Sequence, residues 1–174
     1  MTARRERTAV RVADALDADL EAIAAIYGAV VETSHATFDV EPPGADRWRE
    51  MLASTDPQRG HYLLVAIDGE GAVAGYAKSG LFMAKPAYAT TCETSVHVAE
   101  HARGGGVGTA LYAELLERVE RSPLRLAVAG LAEPNPASAA LHRAFGFRPV
   151  GTFTGVGVKF GRPWDVTWHQ RALA

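Results

Sequence analysis

The sequence predicts an α/β fold in which helices cover the faces of one mixed sheet. Alternating apolar runs, typical of strands, are interspersed with segments whose apolar residues recur every three or four positions, as in amphipathic helices. The segments run strand, helix, helix, strand, strand, and then strand, helix, strand, helix, strand, strand. A chain of 174 residues suits one domain with a sizeable core.

The first half of the chain predicts two helices between strands. Residues 8–12 alternate as a strand, and a helix with Asp14 or Asp17 as its cap follows to about residue 33. Trp48, Met51 and Leu52 mark one face of a shorter helix. A hairpin signal at residues 68–71 then joins strands predicted at 61–68 and 72–82.

The second half predicts strands and helices in alternation. Residues 94–98 form a strand, and a helix with Val107, Leu111, Leu115 and Val119 on one face follows. Residues 124–131 are almost wholly apolar, which is typical of a strand buried on both faces. A helix at 138–145 ends at Gly146, and two strands at 150–160 and 164–173 close the chain.

A glycine-rich turn lies between the strand at 94–98 and the helix that follows it. Glycine lets the backbone approach a ligand closely, and the N–H groups of a helix N-terminus favour an anion such as a pyrophosphate. The turn lacks Gly-Lys-Ser/Thr, which excludes a P-loop, and its spacing does not fit Gly-x-Gly-x-x-Gly. It fits Arg-x-x-Gly-x-Gly, as Arg103, Gly106 and Gly108. The alternative is a surface turn without a ligand.

Composition narrows the classes of partner and cofactor. The net charge of -2 gives no basic excess for nucleic acid or an anionic membrane, so neither is expected as a partner. The single Cys92 excludes an internal disulfide and a cysteine-built metal site, and the histidines lack metal-ligand spacing, so no metal is expected. Residues 1–7 are interpreted as a flexible N-terminus and not a signal peptide, and a cytoplasmic protein is expected.

Ten short pieces of the sequence are together similar to one enzyme family. They are Ile26-Tyr27, Ala36-Thr37-Phe38, Pro86-Ala87-Tyr88, residues 93–98, residues 103–109, residues 135–138, Leu141-His142, Phe145-Gly146-Phe147, Gly157-Val158-Lys159 and Trp164-Asp165-Val166. By their order and spacing, the chain resembles the phosphinothricin and methionine sulfoximine N-acetyltransferase branch of the GCN5-related N-acetyltransferase (GNAT) superfamily.

The resemblance implies a fold and a reaction. Residues 8–173 would form one GNAT-like domain, a mixed sheet of about seven strands flanked by four helices. Its central strands would splay apart around acetyl-CoA, with a bulge that opens the gap. The reaction would move the acetyl group of acetyl-CoA to the primary amine of a small amino-acid-like molecule. Members of this branch often pair as homodimers, so a homodimer is expected.

The resemblance also implies which residues hold acetyl-CoA. The turn would cradle the pyrophosphate, and the strand before it would offer its edge to the pantetheine amides. The set is Val96, His97, Val98, Arg103, Gly104, Gly105, Gly106, Val107, Gly108, Thr109, Asn135 and Ser138. Asn135 could instead cap a helix, or do both, and Arg103 could be a solvated cation.

Two residues are implied to be catalytic. Glu93 is expected to remove a proton from the amine, because a partly desolvated carboxyl has a raised pKa and can accept a proton. The alternative is a structural carboxylate paired with a cation. His142 could be the acid for the departing thiolate, a partner of Glu93, or a helix residue that faces the core.

The acceptor pocket is implied to contain Phe38, Lys85, Tyr88 and Trp164. Lys85 stands where this branch commonly has an arginine, and a lysine lacks the bidentate fork of arginine. Pro163 stands at the family's tryptophan, with Trp164 displaced by one position. These departures weaken the expectation of an amino-acid acceptor more than that of acetyl transfer.

Three other functions remain open from the sequence. The acceptor could be another small amine or a protein N-terminus. The chain could also be a non-catalytic sensor of acyl-CoA, although the presence of Glu93 and His142 argues against that. A nucleotide-binding regulator is disfavoured, because the lysine and Ser/Thr that follow the glycines of a P-loop are missing.

Overall fold

The protein is described by a computed structural model that covers residues 9–173. The expectation of a flexible segment at 1–7 therefore lies outside the described residues. The elements are β1 (Arg11–Asp14), α1 (Leu20–Thr33), α2 (Ala45–Ala53), β2 (Tyr62–Ile67), β3 (Val73–Leu81), β4 (Thr91–Val98), α3 (Val107–Glu120), β5 (Leu126–Ala132), α4 (Pro136–Ala144), β6 (Arg148–Lys159) and β7 (Arg162–Ala172).

The seven strands of the described chain form one sheet in the order β1-β2-β3-β4-β5-β7-β6. Neighbouring strands are antiparallel except β4 and β5, which are parallel. The α/β class, the seven strands and the four helices predicted from the sequence are confirmed. The parallel pair lies at the centre, where the connection through α3 is long enough for a crossover.

Two apolar cores lie on opposite faces of the sheet. On one face, α3 buries the stripe Val107, Leu111, Leu115 and Val119 completely, as its helical spacing predicts. On the other face, α1 and α2 pack around Trp48, which is itself almost fully buried. Each helix has a single apolar face because only one of its sides touches the sheet.

The central strands separate after a short paired stretch. Residues Thr91–Glu93 of β4 pair with Leu126–Val128 of β5, and the pairing ends there. β5 continues along β7 for its whole length, whereas β4 stays alongside β3. The splay implied by the resemblance is therefore present. The expected bulge is wrong, because β4 pairs with β3 in unbroken register and the gap opens where β5 leaves with β7.

The boundaries near the start of the described chain differ from the predictions. The first strand begins at Arg11, where pairing with β2 begins. The expected cap at Asp14 or Asp17 is wrong: a short 3₁₀ turn precedes α1, and Asp19 accepts a hydrogen bond from the Leu16 amide at 2.8 Å. Spacing alone does not distinguish the 3₁₀ turn from the first turn of α1, because both place apolar residues three apart.

Candidate active site

A cleft of about 770 Å³ opens where β4 and β5 separate. One wall is the free edge of β4 with the glycine-rich turn, and the other is β5 with the start of α4. Of the cofactor residues expected from the sequence, all except Gly105 line this cleft. The topology thus brings together residues from four separate elements.

The glycine-rich turn supplies the end of the cleft at α3. Gly104 and Gly106 have φ angles of 77° and 87°, a left-handed conformation that favours glycine. The first helical hydrogen bond runs from the Ala110 amide to the Gly106 carbonyl at 3.0 Å. The amides of residues 107–109 therefore have no acceptor within the described chain, which leaves them for an anion at the helix N-terminus. Gly105 is buried, and its amide donates a hydrogen bond to the Ala102 carbonyl at 3.3 Å.

The free edge of β4 forms the long wall of the cleft. Residues 96–98 pair with β3 on one side only, so their outward backbone groups face the gap. The His97 side chain points away from the gap, between the rings of Tyr27 and Tyr76, at centroid distances of 5.3 and 5.2 Å. Burial lowers the pKa of His97 to about 4, so this imidazole is neutral. What His97 presents to the cleft is backbone.

Asn135 begins α4 on the opposite wall. Its side-chain oxygen accepts a hydrogen bond from the Ser138 amide at 3.2 Å, so Asn135 is a helix cap, as the alternative from the sequence held. Both residues also line the cleft. The cap fixes the carboxamide of Asn135 at the cleft wall.

His142 is buried and belongs to a hydrogen-bonded chain. Its Nδ1 lies 2.8 Å from the Ser138 carbonyl, which only accepts, so Nδ1 carries the proton. Burial lowers the pKa of His142, and its Nε2 accepts from the Tyr112 hydroxyl at 2.8 Å. Tyr112 in turn lies 2.7 Å from the hydroxyl of Thr94, at the fork of β4 and β5. The chain therefore links α4 to the fork.

Glu93 lies on the other face of β4. It is the last residue of β4 that pairs with β5, and it is half-buried. Desolvation raises the pKa of the Glu93 carboxyl, and the positive charge of Lys78 on β3 partly offsets that increase. His142 faces the α3 side of the sheet, so the strand separates these two residues.

The loop between α1 and α2, residues 34–44, closes the cleft on the side of β6 and β7. His35 lies on the cleft wall and stacks on Trp164 with ring centroids 3.9 Å apart. The buried Lys159 ammonium donates to the carbonyls of Ser34 and Thr37 at 2.8 and 2.9 Å. These contacts hold the loop on the β6–β7 hairpin.

The structure places Phe38 and Trp164 on the β6–β7 hairpin, where Gly157 pairs with Trp164, and Lys85 and Tyr88 in another connection. Phe38 packs against Gly157, where any side chain would collide with its ring. The Trp164 ring stacks on His35, and the Arg162 guanidinium carbon lies 3.9 Å from the centroid of the same Trp164 ring. Lys85 and Tyr88 lie in the exposed β3–β4 connection and, like Glu93, are not among the residues that line this cleft.

Several residues of the site were missed by sequence reasoning. Tyr112, Lys78 and His35 carry polar groups but lie in none of the ten matching pieces, and Thr94 lies in the piece at 93–98 without having been assigned a role. The available signal was a charged side chain in a largely apolar strand, as with Lys78 within β3. Each buried group needs a partner from a distant segment, which the sequence does not reveal.

Within residues 9–173, no group of histidine, cysteine, aspartate or glutamate side chains is arranged to hold a metal ion. In the same part of the chain, no helix has the length and apolar character needed to span a membrane.

Comparison with known proteins gives consistent matches over nearly the whole chain. The family described as Acetyltransferase (GNAT) domain matches residues 14–168. Phosphinothricin N-acetyltransferase of Streptomyces coelicolor is 46% identical over 166 residues, 94% of this chain and 96% of that protein. L-methionine sulfoximine/L-methionine sulfone acetyltransferase of Pseudomonas aeruginosa is 37% identical, covering 93% of this chain and 94% of that protein.

A solved structure agrees with these relatives. The phosphinothricin acetyltransferase of Sinorhizobium meliloti, crystallised in complex with AcCoA, superposes with a TM-score of 0.90 at 35% identity. The superposition covers 95% of this chain and 89% of that one.

Proposed function

The chain belongs to the acetyltransferase (GNAT) family, and we propose that it acetylates the primary amine of a small amino-acid-like molecule with acetyl-CoA. Phosphinothricin and methionine sulfoximine or sulfone are the substrate types named for its relatives. The observation that carries the proposal is the cleft itself. It has an anion-binding turn at one end and an unpaired strand edge along its length. The half-buried carboxylate of Glu93 lies on the other face of β4, at the fork where that unpaired edge begins.

The donor would lie along the free edge of β4. The amides of residues 107–109 suit its pyrophosphate, because they converge at the positive end of α3. The backbone of residues 96–98 offers hydrogen bonds to the pantetheine amides in the manner of an added strand. The Asn135 carboxamide, fixed by its cap, faces the same space. Acetyl-CoA supplies the acetyl thioester as a co-substrate.

Glu93 is proposed as the base. The amine nitrogen forms a bond to the acetyl carbon, the bond from that carbon to sulfur breaks, and the amine loses a proton to Glu93 directly or through one water. Desolvation favours this role, because it raises the pKa of the carboxyl towards the working pH. The coenzyme A thiolate leaves as a stable anion or takes up a proton.

The chain of His142, Tyr112 and Thr94 is proposed to shape the fork from the opposite face of the sheet. With Nε2 as an acceptor, His142 fixes the Tyr112 hydroxyl, which holds the Thr94 hydroxyl in place. Thr94 and His142 both line the cleft. Of the three roles open from the sequence, a direct partnership with Glu93 is disfavoured, because β4 lies between the two side chains.

We also propose a homodimer that works in the cytoplasm. The edge strand β6 and the residue after it expose Val150, Phe153, Val156, Val158 and Phe160, each more than half exposed. An apolar edge strand of this length is a surface that proteins normally cover, and a second copy of the chain would cover it.

The buried free thiol of Cys92 and the use of acetyl-CoA suit a reducing compartment.

Release of free thiol from acetyl-CoA tests the proposed function. The acceptors are phosphinothricin, methionine sulfoximine, methionine sulfone, a panel of simple amines and peptides with free N-termini. Turnover with the first three is expected. Turnover with simple amines or peptides alone would retain acetyl transfer and reject the acceptor class. Binding of coenzyme A without turnover on any amine would favour the sensor.

A further inference from the structure

Ser95 lies in β4 just beyond the fork. The pairing of β4 with β5 ends at Glu93, and Ser95, two residues further along the strand, lines the cleft. Its side chain lies on the same face of the sheet as that of Glu93, because side chains two positions apart in a strand share a face. Ser95 belongs to the matching piece at 93–98, where the resemblance implies no role for it.

The Ser95 hydroxyl is buried and has no hydrogen-bond partner within the described chain. A buried hydroxyl normally has a partner, and the cost of leaving it unpaired is removed when a ligand supplies an acceptor. The neighbouring hydroxyl of Thr94 is already engaged, at 2.7 Å from the Tyr112 hydroxyl and 3.3 Å from the Val128 carbonyl. Of the two hydroxyls at this level of β4, the one on Ser95 is therefore available to a ligand.

The Ser95 hydroxyl is free to turn. As a residue, Ser95 is only half-buried, and it lines the cleft. A serine side chain has three staggered positions about χ1, and no hydrogen bond holds the hydroxyl in the one it occupies. Rotation about χ1 therefore breaks no hydrogen bond and can bring the hydroxyl into the open part of the cleft.

The thioester of the donor would lie at the same level of β4. With its pyrophosphate at the glycine-rich turn and its pantetheine amides along residues 96–98, the donor runs towards the fork. The thioester carbon follows the last amide after two methylene carbons and the sulfur. It therefore lies about one or two residues beyond that amide, in a strand that advances about 3.3 Å per residue. This places the thioester carbonyl beside Ser95.

We infer that the Ser95 hydroxyl donates a hydrogen bond to the carbonyl oxygen of the acetyl thioester. This inference rests on the placement of the donor in the proposed function and adds a catalytic residue to it. When the amine attacks, its nitrogen forms a bond to the carbonyl carbon and an electron pair moves onto the oxygen. The hydrogen bond from Ser95 then becomes charge-assisted and stronger. The carbonyl re-forms as the carbon–sulfur bond breaks and the thiolate leaves, so Ser95 keeps its own proton throughout.

The charges on this face of the sheet favour the same assignment. Lys78 of β3 lies opposite Ser95 in the register. Desolvation raises the pKa of Glu93 and lowers that of His97, and the charge of Lys78 partly offsets the first shift and adds to the second. The positive charge of Lys78 thus acts on the residues on either side of Ser95, where it would also stabilise an oxyanion. The negative charge of Glu93 opposes this until Glu93 takes up the proton of the amine.

Binding of three ligands tests the inference without an acceptor. They are acetyl-CoA, coenzyme A, and S-ethyl coenzyme A, which has a methylene group in place of the thioester carbonyl. Calorimetry measures each dissociation constant for the wild type, for Ser95→Ala and for Ser95→Thr, which keeps a hydroxyl. Ser54→Ala is the matched control, because the Ser54 hydroxyl donates to the Met51 carbonyl in an exposed position just after α2.

The expected result is a loss confined to the ligand with a carbonyl. Ser95→Ala should weaken binding of acetyl-CoA about 3- to 10-fold, the effect of one hydrogen bond, and change that of the other two ligands by less than about twofold. Ser95→Thr should bind acetyl-CoA like the wild type. Equal weakening of all three ligands by Ser95→Ala, or no weakening of any, would overturn the inference.

Steady-state kinetics examines the reacting state. In Ser95→Ala, kcat should fall about 10²-fold, because an oxyanion donor acts mainly in the transition state. KM for the acceptor should change little, because Ser95 contacts the donor. A raised KM for the acceptor with an unchanged kcat would assign Ser95 to the acceptor and overturn the inference.

Thermal unfolding separates this role from a structural one. The Ser95 hydroxyl has no partner to lose, so Ser95→Ala should unfold at the wild-type temperature or above it. A marked fall in that temperature, together with an equal loss for all three ligands, would make Ser95 a structural residue and overturn the inference.

The inference can fail separately from the proposed function. If no amine is acetylated but Ser95→Ala weakens acetyl-CoA alone, the hydrogen bond to the thioester is supported while the proposed function fails. If amines are acetylated and Ser95→Ala leaves both kcat and the binding of acetyl-CoA unchanged, the inference fails and the proposed function stands.

Discussion

The donor side and the acceptor side of the fork offer different kinds of chemical group to a ligand. On the donor side, the proposed contacts to the pyrophosphate and the pantetheine come from backbone groups: the amides that begin α3 and the free edge of β4. On the acceptor side, the proposed contact comes from a side chain, the carboxylate of Glu93 on β4. A backbone site depends on geometry that many sequences can adopt. A side-chain site changes its ligand with one substitution, so we expect the donor to be fixed and the acceptor to be variable.

The largest expected effect is that of a substitution at Glu93, where the donor side and the acceptor side meet. Glu93→Gln removes the proposed base and keeps the shape, so kcat should fall about 10²- to 10⁴-fold. The dissociation constant for acetyl-CoA, measured by calorimetry, should be unchanged, because Glu93 makes none of the proposed contacts with the donor. Glu70→Gln in the exposed hairpin is the control. An equal loss of donor affinity would show that the two sides are not separate.

A second test concerns the support of the fork. Tyr112→Phe leaves the Thr94 hydroxyl and His142 Nε2 without their shared partner in a buried region. The Thr94 hydroxyl can still donate to the Val128 carbonyl at 3.3 Å, so His142 Nε2 is the one buried group left without a partner. Such a loss costs about 1–3 kcal/mol, and the free energy of unfolding should decrease by about that amount. Denaturant unfolding measures it, with Tyr62→Phe as the control, since the Tyr62 hydroxyl makes only a long bond of 3.3 Å at the surface. Equal effects of the two variants would contradict the buried chain.

A third and smaller effect is expected in the glycine-rich turn. Gly106 has φ of 87°, which a β-branched residue adopts at a cost of about 1–2 kcal/mol. Gly106→Val should therefore weaken acetyl-CoA binding about tenfold while KM for the acceptor changes little. Gly69→Val is the control, because nothing lies within 4 Å of a side chain added there. A variant that binds acetyl-CoA as tightly as wild type would contradict the backbone site.

The same contrast explains what could be predicted from the sequence. The donor side could be predicted because Gly106 and Gly108 belong to a local motif that indicates a particular backbone geometry. The apolar stripe from Val107 to Val119 predicts the helix that begins at this turn. The mixed sheet of seven strands and the splay followed from the resemblance. The mechanism of the splay did not, because it depends on how far β5 follows β7 rather than on any residue of β4.

The acceptor side could not be predicted in the same way. Lys78 and Glu93 are 15 positions apart, and only the register of β3 against β4 makes them neighbours. Trp164 was expected in the pocket, yet it stacks on His35, a residue 129 positions away whose ring no pattern singles out. Such contacts depend on tertiary packing, and local patterns contain no information about it.

The dependence of kcat/KM on pH, in wild type and in Glu93→Gln, tests the central claim most directly. Because desolvation raises the pKa of Glu93 and the base acts when deprotonated, the wild-type rate should fall as the pH drops through that raised pKa. The amine's own ionisation contributes a separate limb at higher pH. We predict that the acidic limb of Glu93 disappears in the variant. An acidic limb that persists unchanged in Glu93→Gln would contradict the assignment of the base.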